Sequence, residues 1–469
     1  MRLESKLARR FAIPLLCMAA WAAAAQSIDA ASASKPLSLT EALAMAQDKY
    51  PSIKAAMEQQ AAAQNQIGVA RTAYLPRVDM LWQTNRATDD NLTGLLLPQA
   101  VLPSISGPVA VDGPGKSAWS SAGGALINWQ PFDFGKRSGQ VDVAQRNAAA
   151  ATSATNLTRL GIAARTASAY LDAAAAHQLV AVAQANVSRM QTFSDSVHVL
   201  VDNKLRPGAD ASQADAQLAI ARTQLIQIQT QEKIRLAALA DLLELPPQQI
   251  NIDPASVLAN PPSVDMEATA ISSHPAIQQE AALVASQSAQ LHVLNRSYAP
   301  VFDLLGSISG RGTGLDSKGN FLGGTTGLAP DTLNWAGAIQ VTFPAFDFFT
   351  IHQQKKVQAA NLRAEQMRYR QTTDDLSSQI QQAQAMLDGA RQVARNTPIE
   401  VEAARQSEQQ QRVRFQSSLA TVVDVAVAES VLTQAEGDDA IARLNVWRAL
   451  AGLAVARGDL TPFLNVLGK

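Results

Sequence analysis

A duplicated order of motifs constrains this chain more than any other feature. Tyr74-Leu75-Pro76-Arg77-Val78-Asp79 recurs as Tyr298-Ala299-Pro300-Val301-Phe302-Asp303, an offset of 224 residues, and Pro51 matches Pro275 at the same offset. Further along, Trp129-Gln130-Pro131-Phe132-Asp133-Phe134 is echoed by Phe343-Pro344-Ala345-Phe346-Asp347-Phe348. Chance gives one such pair. Three in the same order imply two homologous halves, here placed at 26–262 and 263–469.

Each half follows one plan. The first opens with Ser38-Leu39-Thr40-Glu41, a capping box whose serine and glutamate satisfy free amides at a helix start. From there the pattern predicts a helix to about Tyr74, a strand near 77–87, a Gly/Pro-rich loop and a second strand near 119–129. The second half repeats this from about Met266, with strands near 301–309 and 333–343. Of the 25 glycines, 17 fall within 94–139 and 306–337, which marks those windows as strand and loop and leaves the rest to helix.

The last strand is the clearest. Leu333, Trp335, Ile339, Val341 and Phe343 alternate with Asn334, Ala336, Ala338, Gln340 and Thr342, a period of two with one apolar face. Val78, Met80 and Trp82 alternate more loosely with Asp79, Gln83 and Asn85. Each stretch is about 10 residues, the length a tilted strand needs to cross a bilayer. A soluble four-stranded sheet would show the same alternation. Four strands cannot close a conducting barrel, and open edges are not tolerated in lipid, so a membrane version requires several protomers to pool strands.

The helices are unusually long. Residues 132–206 contain no proline, and about 70 residues at 1.5 Å each reach roughly 100 Å. Leu218, Leu225, Ile228, Leu236, Leu239 and Leu243 fall on one face of a return helix. In the second half Val425, Leu432, Ala435, Ala442, Val446, Leu450 and Leu453 do the same. Pro398 is expected to kink or break the second long helix. The hairpins are expected to turn near 204–212 and 414–424. Each turn is followed by a [Ser/Thr]-x-x-Asp pattern, Ser212 with Asp215 and Thr421 with Asp424. Such a pair can cap the return helix, and carboxylates at converging tips can also form a charged ring.

Other features bound the class. Arg2, Lys6, Arg9 and Arg10 precede an apolar run ending in Ala22-Ala23-Ala24-Ala25, so 1–25 reads as a signal peptide. Cys17, the only cysteine, lies inside that run, which leaves the mature chain without thiol chemistry. Leu16 stands where a lipoprotein signal needs a small residue. A formal charge of -1 gives no sign of nucleic-acid binding. Apart from the leader, no run approaches the about 18 apolar residues of a spanning helix. No enzyme constellation, cofactor motif or metal spacing is present: His177, His198, His274, His292 and His352 are scattered and read as lying on solvated helix faces. Gly310-Arg311-Gly312-Thr313-Gly314 lacks the end of a phosphate loop and reads as a strand-end loop.

The ordered pattern resembles the TolC-like outer-membrane efflux protein family. The residues that carry it are Leu39-Thr40-Glu41-Ala42-Leu43, the two Tyr-x-Pro strand starts, Phe132-Asp133-Phe134-Gly135-Lys136-Arg137 and the tip at 414–425, together spanning about 37–463. The resemblance implies a mainly α, tandem-repeat channel with a β-barrel part. Four strands per protomer pool into a trimeric 12-stranded barrel in the outer membrane of a Gram-negative bacterium, and the helical hairpins form a periplasmic tunnel. It further implies a homotrimer in outer-membrane lipid, working with a periplasmic adaptor and an inner-membrane transporter in efflux or type I secretion, without cofactor or nucleic acid. The resemblance places Asp424 at the entrance constriction, with Val427 where some members carry a second acid and Ser418 where the tip glycine is usual. Adaptor-contact tips are then Arg206, Gly208, Ala209, Ser212, Phe415, Ser418, Leu419 and Thr421. A periplasmic adaptor, or a structural coiled-coil protein without a pore, is the competing reading.

Overall fold

Proline and glycine divide the chain into its elements. The computed structural model describes residues 36–88, 117–252 and 270–467, apart from 317, 319 and 344. The leader at 1–25, Cys17, Met266 and the loop at 89–116 lie outside the described residues. Helix α1 (Leu39–Lys49) begins at the Ser38–Glu41 capping box. It stops at Tyr50, which precedes Pro51 and is therefore held extended (ψ 127°), so the expected single helix is two, and α2 (Pro51–Thr72) restarts with proline at its first position.

Two strands follow, β1 (Arg77–Thr88) and β2 (Ser117–Phe132), then α3 (Lys136–Asp202) and α4 (Gly208–Leu243). The second half gives α5 (Pro275–Arg296), β3 (Val301–Thr313), β4 (Thr332–Thr342), α6 (Phe348–Gln416) and α7 (Val422–Ala456), with a short α8 (Thr461–Leu467) at the end. The 67 residues of α3 extend about 100 Å. Helix α6 runs through Pro398 without ending, because packing along α7, where the neighbouring Thr397 hydroxyl donates to Asp439 at 2.8 Å, supports the turn that lacks its hydrogen bond.

The repeat extends to the boundaries of the elements. The offset of 224 carries α2 onto α5 and the first residue of β1 onto that of β3. A second offset of 214 carries Phe132-Asp133-Phe134 onto Phe346-Asp347-Phe348, the end of α3 onto the end of α6, and the start of α4 onto the start of α7. The matched part of the second half thus spans 10 fewer residues, lost between Val301 and Phe346. Each long helix carries two shorter ones along its length: α2 and α4 on α3, α5 and α7 on α6, with α5 bridging α3 and α6.

The main core forms a waist. Leu39 and Leu43 of α1, Tyr170 and Leu171 of α3, and Trp447, Leu450 and Leu453 of α7 are buried there with Phe463 of α8. The Tyr170 hydroxyl donates to the Leu37 carbonyl at 2.8 Å, and Leu37 pairs in parallel with Ile252.

The strands form one antiparallel sheet in the order β1-β2-β3-β4, so a hairpin from each half meets at β2 and β3. Residues directly opposite each other share a face. One row across the sheet is Met80, Ala125, Ile308, Trp335, and another is Trp129, Leu304, Ile339. On the opposite face a row reads Gln83, Ala122, Arg311, Thr332, and another Leu81, Gly124, Ser309, Asn334. One face is therefore apolar across all four strands and the other is largely small or polar. The apolar side chains are bare in the single chain: Met80 is 88% exposed and Trp335 81%. Trp82 lies over Gly123, where any Cβ would stand 2.6 Å from the indole. The run Gly310–Thr313, expected as a loop, belongs to β3. Gly312 fits there because a Cβ would meet the Ala329 carbonyl at 2.1 Å.

The sheet joins the long helices through Phe132-Asp133-Phe134-Gly135-Lys136-Arg137. Phe134 and Gly135 have positive φ, a local kink through which β2 passes into α3. Asp133 accepts from the Arg137 backbone at 2.7 Å and from its guanidinium at 2.9 Å. That guanidinium also donates to the Ala73 carbonyl and stacks on the Tyr74 ring.

Candidate functional site

The two hairpin tips share one backbone design. At the first, Leu205 N–H donates to the Leu200 carbonyl and Lys204 N–H to Val201, at 2.9 and 2.8 Å. At the second, Leu419 donates to Arg414 and Ser418 to Phe415, at 2.8 and 3.0 Å. These are the paired bonds of a Schellman ending, with Lys204 (φ 60°) and Ser418 (φ 61°) in the left-handed position usually held by glycine. A side chain there costs about 1 kcal/mol. The turns leave Leu205 and Leu419 projecting at the two tips, 68% and 70% exposed.

After the turn the tips diverge. Thr421 is the N-cap of α7, its hydroxyl accepting from Asp424 N–H at 3.3 Å. Asp424 reciprocates, accepting from the Thr421 N–H and from its hydroxyl, each at 2.8 Å. The Thr421 backbone bond, the hydroxyl bond and the attraction of Arg414 hold the Asp424 carboxyl below the usual carboxylate range. The matching N-cap of α4 is Pro207, which has no side chain to cap with.

Ser212 and Asp215 do not form the cap the sequence pattern suggested. Both lie inside α4, which Pro207 and Gly208 start earlier. Asp215 instead accepts from Ser194 Oγ at 2.8 Å and faces His198 Nε2 at 2.9 Å, strapping α4 to α3. That bond and the attraction of Asp215 raise the His198 pKa above its ordinary 6.5, while the His198 and Ser194 bonds lower that of Asp215. At the 214-residue offset the counterpart of Asp424 is Asp210, which sits 3.7 Å from Arg206. The sequence reading missed Asp210, Lys204 and Leu205. A constant offset carried from Phe132 and Phe346 would have found all three.

Arg206 and Phe415 join the tips rather than face outward. The Arg206 guanidinium lies 4.5 Å from the centre of the Phe415 ring and donates to the Phe415 and Ala420 carbonyls at 2.8 and 3.4 Å. Phe415, expected as an exposed contact, is 2% exposed and packs edge-on against Phe193 of α3. The reason is tertiary: the other hairpin covers it. Gly208, Ala209, Ser212, Ser418, Leu419 and Thr421 are exposed, as is Asp424.

Above the tips, Arg189 of α3 binds Glu429 and Glu436 of α7, and Arg412 of α6 binds Glu408 at 2.7 Å. This network ties the hairpins together within one protomer. Among the described residues no cluster of His, Cys, Asp and Glu could hold a metal. His274 is not on a solvated face: it is buried, and its Nδ1 accepts from Ala276 N–H at the start of α5. No helix among the described residues is long and apolar enough to cross a membrane.

The pattern of the outer membrane efflux protein family matches residues 42–244 and 268–459. No curated protein matches the sequence beyond chance. The fold is similar to the outer membrane protein VceC of Vibrio cholerae (19% identity, TM-score 0.71, covering 90% of this chain and 96% of that one). It is also similar to the CmeC outer membrane channel of Campylobacter jejuni (15%, 0.72, 90% and 85%) and to the open state of the MtrE outer membrane channel of Neisseria gonorrhoeae (18%, 0.69, 90% and 89%).

Proposed function

This chain belongs to the outer membrane efflux protein family, and we propose that it is a passive outer-membrane duct serving a tripartite efflux or type I secretion system. One observation carries the reading beyond the family: the apolar face crosses all four strands, while the outer edges of β1 and β4 have no strand partner among the described residues. In lipid every backbone group must be paired, so those edges must meet edges of other copies. Three copies give 12 strands, apolar side to lipid and polar side to the lumen. Each protomer then adds two hairpins to a helical tunnel in the periplasm. Energy and selectivity come from an inner-membrane transporter, coupled through a periplasmic adaptor. The small-molecule and protein cargoes remain two outcomes of one architecture. An adaptor role fits poorly with two long hairpins and a four-stranded lipid-compatible sheet.

At the entrance, the exposed Asp424 of three protomers forms a ring of carboxylates kept ionised by Thr421. Planar-bilayer recording of the purified protein tests this: Asp424→Ala is expected to raise conductance or abolish block by polyvalent cations. A protein that gives no conductance sinks the duct, and a conducting one indifferent to the substitution reduces Asp424 to a cap. The adaptor contact is carried by Gly208, Ala209, Ser212, Ser418, Leu419 and Thr421, with Arg206 and Phe415 supporting them from inside. Gly208→Glu is expected to impair export while trimers still assemble.

A further inference from the structure

The junction between the two halves of the chain has a second, half-empty counterpart. Inside one chain the halves meet where β2 pairs with β3 and where α5 lies against α3. The flanking hairpins repeat one register. Arg77 faces Asn128, and shifting these by 224 and 214 residues gives Val301 facing Thr342, as observed. The same shifts carry the junction onto the two free edges of the protomer. Gly306 becomes Trp82 of β1, and its partner Ile127 becomes Val341 of β4. On the helices Val293 of α5 becomes Val69 of α2, and Gly139 of α3 becomes Gln353 of α6.

Exposure shows what the counterpart lacks. Ser286 and Ala289 of α5 are buried, while Ala62 and Asn65, at the same positions of α2, are exposed. Val293 and Val143 are half-buried, whereas Val69 is 57% exposed and Val357 is 61%. Apolar residues left bare where the other half covers them mark a surface awaiting a partner. The β1–α2 side of one copy matches the β4–α6 side of another. Such a head-to-tail contact closes into a ring.

We propose that each protomer meets the next through a second copy of this junction, with Val341 of β4 facing Trp82 of the neighbour's β1 and Gln353 of α6 against Val69 of the neighbour's α2. The proposal rests on the pooled barrel and fixes its register. Ile339 then faces Thr84 and Phe343 faces Met80, so the apolar face continues across the seam. A slip of one residue would turn that face inward.

The internal junction also supplies the test. A Cβ on Gly306 would stand 3.8 Å from the Ile127 Cβ, and one on Gly139 3.8 Å from the Val293 Cβ, both within the span of a disulfide. The second would also press the Val293 Cγ2 at 2.8 Å, a methyl that Val69→Cys removes at the seam.

The detergent-solubilised protein is oxidised with copper–phenanthroline and run on a denaturing gel. Trp82→Cys with Val341→Cys, and separately Val69→Cys with Gln353→Cys, are expected to give covalent dimers and trimers. Met80→Cys or Thr84→Cys with Val341→Cys slips β1 by two residues either way. Those pairs should link at least about tenfold more slowly, because diagonal neighbours stand roughly 7–8 Å apart. Single-cysteine variants give the background from Cys17, the only native cysteine. A slipped pair that links faster, or a matched pair that stays unlinked in particles still trimeric by native mass spectrometry, would overturn the proposal and leave the duct standing. Where Trp82→Cys prevents assembly, the helix pair decides alone. A native protein that is monomeric before oxidation would remove the duct, and the seam with it.

Discussion

The two hairpin tips begin from the same fold and end with different chemistry. Both turn through a Schellman ending with a non-glycine residue at positive φ, and both present a leucine at the apex. From there the second tip closes on itself through Thr421 and Asp424, while the first relies on bonds to its neighbours, Arg206 reaching the second tip and Asp215 reaching α3. A duplicated element has thus become one tip with a side-chain cap on its return helix and one without, the two held to each other through Arg206 and Phe415. The capped tip carries the candidate constriction.

The largest expected break in this comparison comes from Phe415. It is buried between Phe193 and Arg206, so Phe415→Ala should cost about 3–5 kcal/mol locally. Its counterpart at the 214 offset is the half-buried Val201, where alanine should cost far less. Hydrogen exchange over 193–215 and 410–428 reads both, and equal losses would erase the asymmetry.

A smaller effect separates the two Ser/Thr-x-x-Asp patterns. Thr421→Ala should destabilise the start of α7 by about 1 kcal/mol. Ser212→Ala, on an exposed face inside α4, should stay within about 0.5 kcal/mol. Comparable losses would restore the cap at Ser212 and contradict the geometry.

The smallest effect is one of pH. The His198 pKa is raised, so its strap contributes fully below the ordinary 6.5 and is lost as pH rises through the raised value. Asp215 and Asp424 are lowered, so their contributions hold above 3.8 and fail only as pH falls through the lowered values. Taking the protein from about pH 6 to about pH 9 should therefore reduce exchange protection at 194–215 and leave 421–428 unchanged. Loosening at the second tip instead would reverse the assignment.

The duplication, the capping box at Ser38 and the alternation along β4 were legible in the sequence because each is a local pattern with a local cause. So was the long uninterrupted α3, through the absence of proline. What local pattern could not give was burial supplied by another element. Phe415 looked like a tip contact because nothing near it in sequence shows that α3 covers it. Ser212 and Asp215 looked like a cap because the same spacing caps α7, yet Pro207, a few residues earlier, had already started α4. Pro398 looked like a break because its neighbours on α7 are distant in the chain. At the candidate entrance, Asp424 is proposed from resemblance and spacing, and the 214 offset points to Asp210, but the pairing of Arg206 with Asp210 and with Phe415 appears only in three dimensions.

All of this presumes that the sheet is one part of a larger barrel. Native mass spectrometry of the protein extracted intact from outer membranes tests that most directly. Three copies per particle are predicted, since the unpaired edges of β1 and β4 must find each other. Recovery as a monomer, or as a soluble protein of the periplasm, would contradict the account.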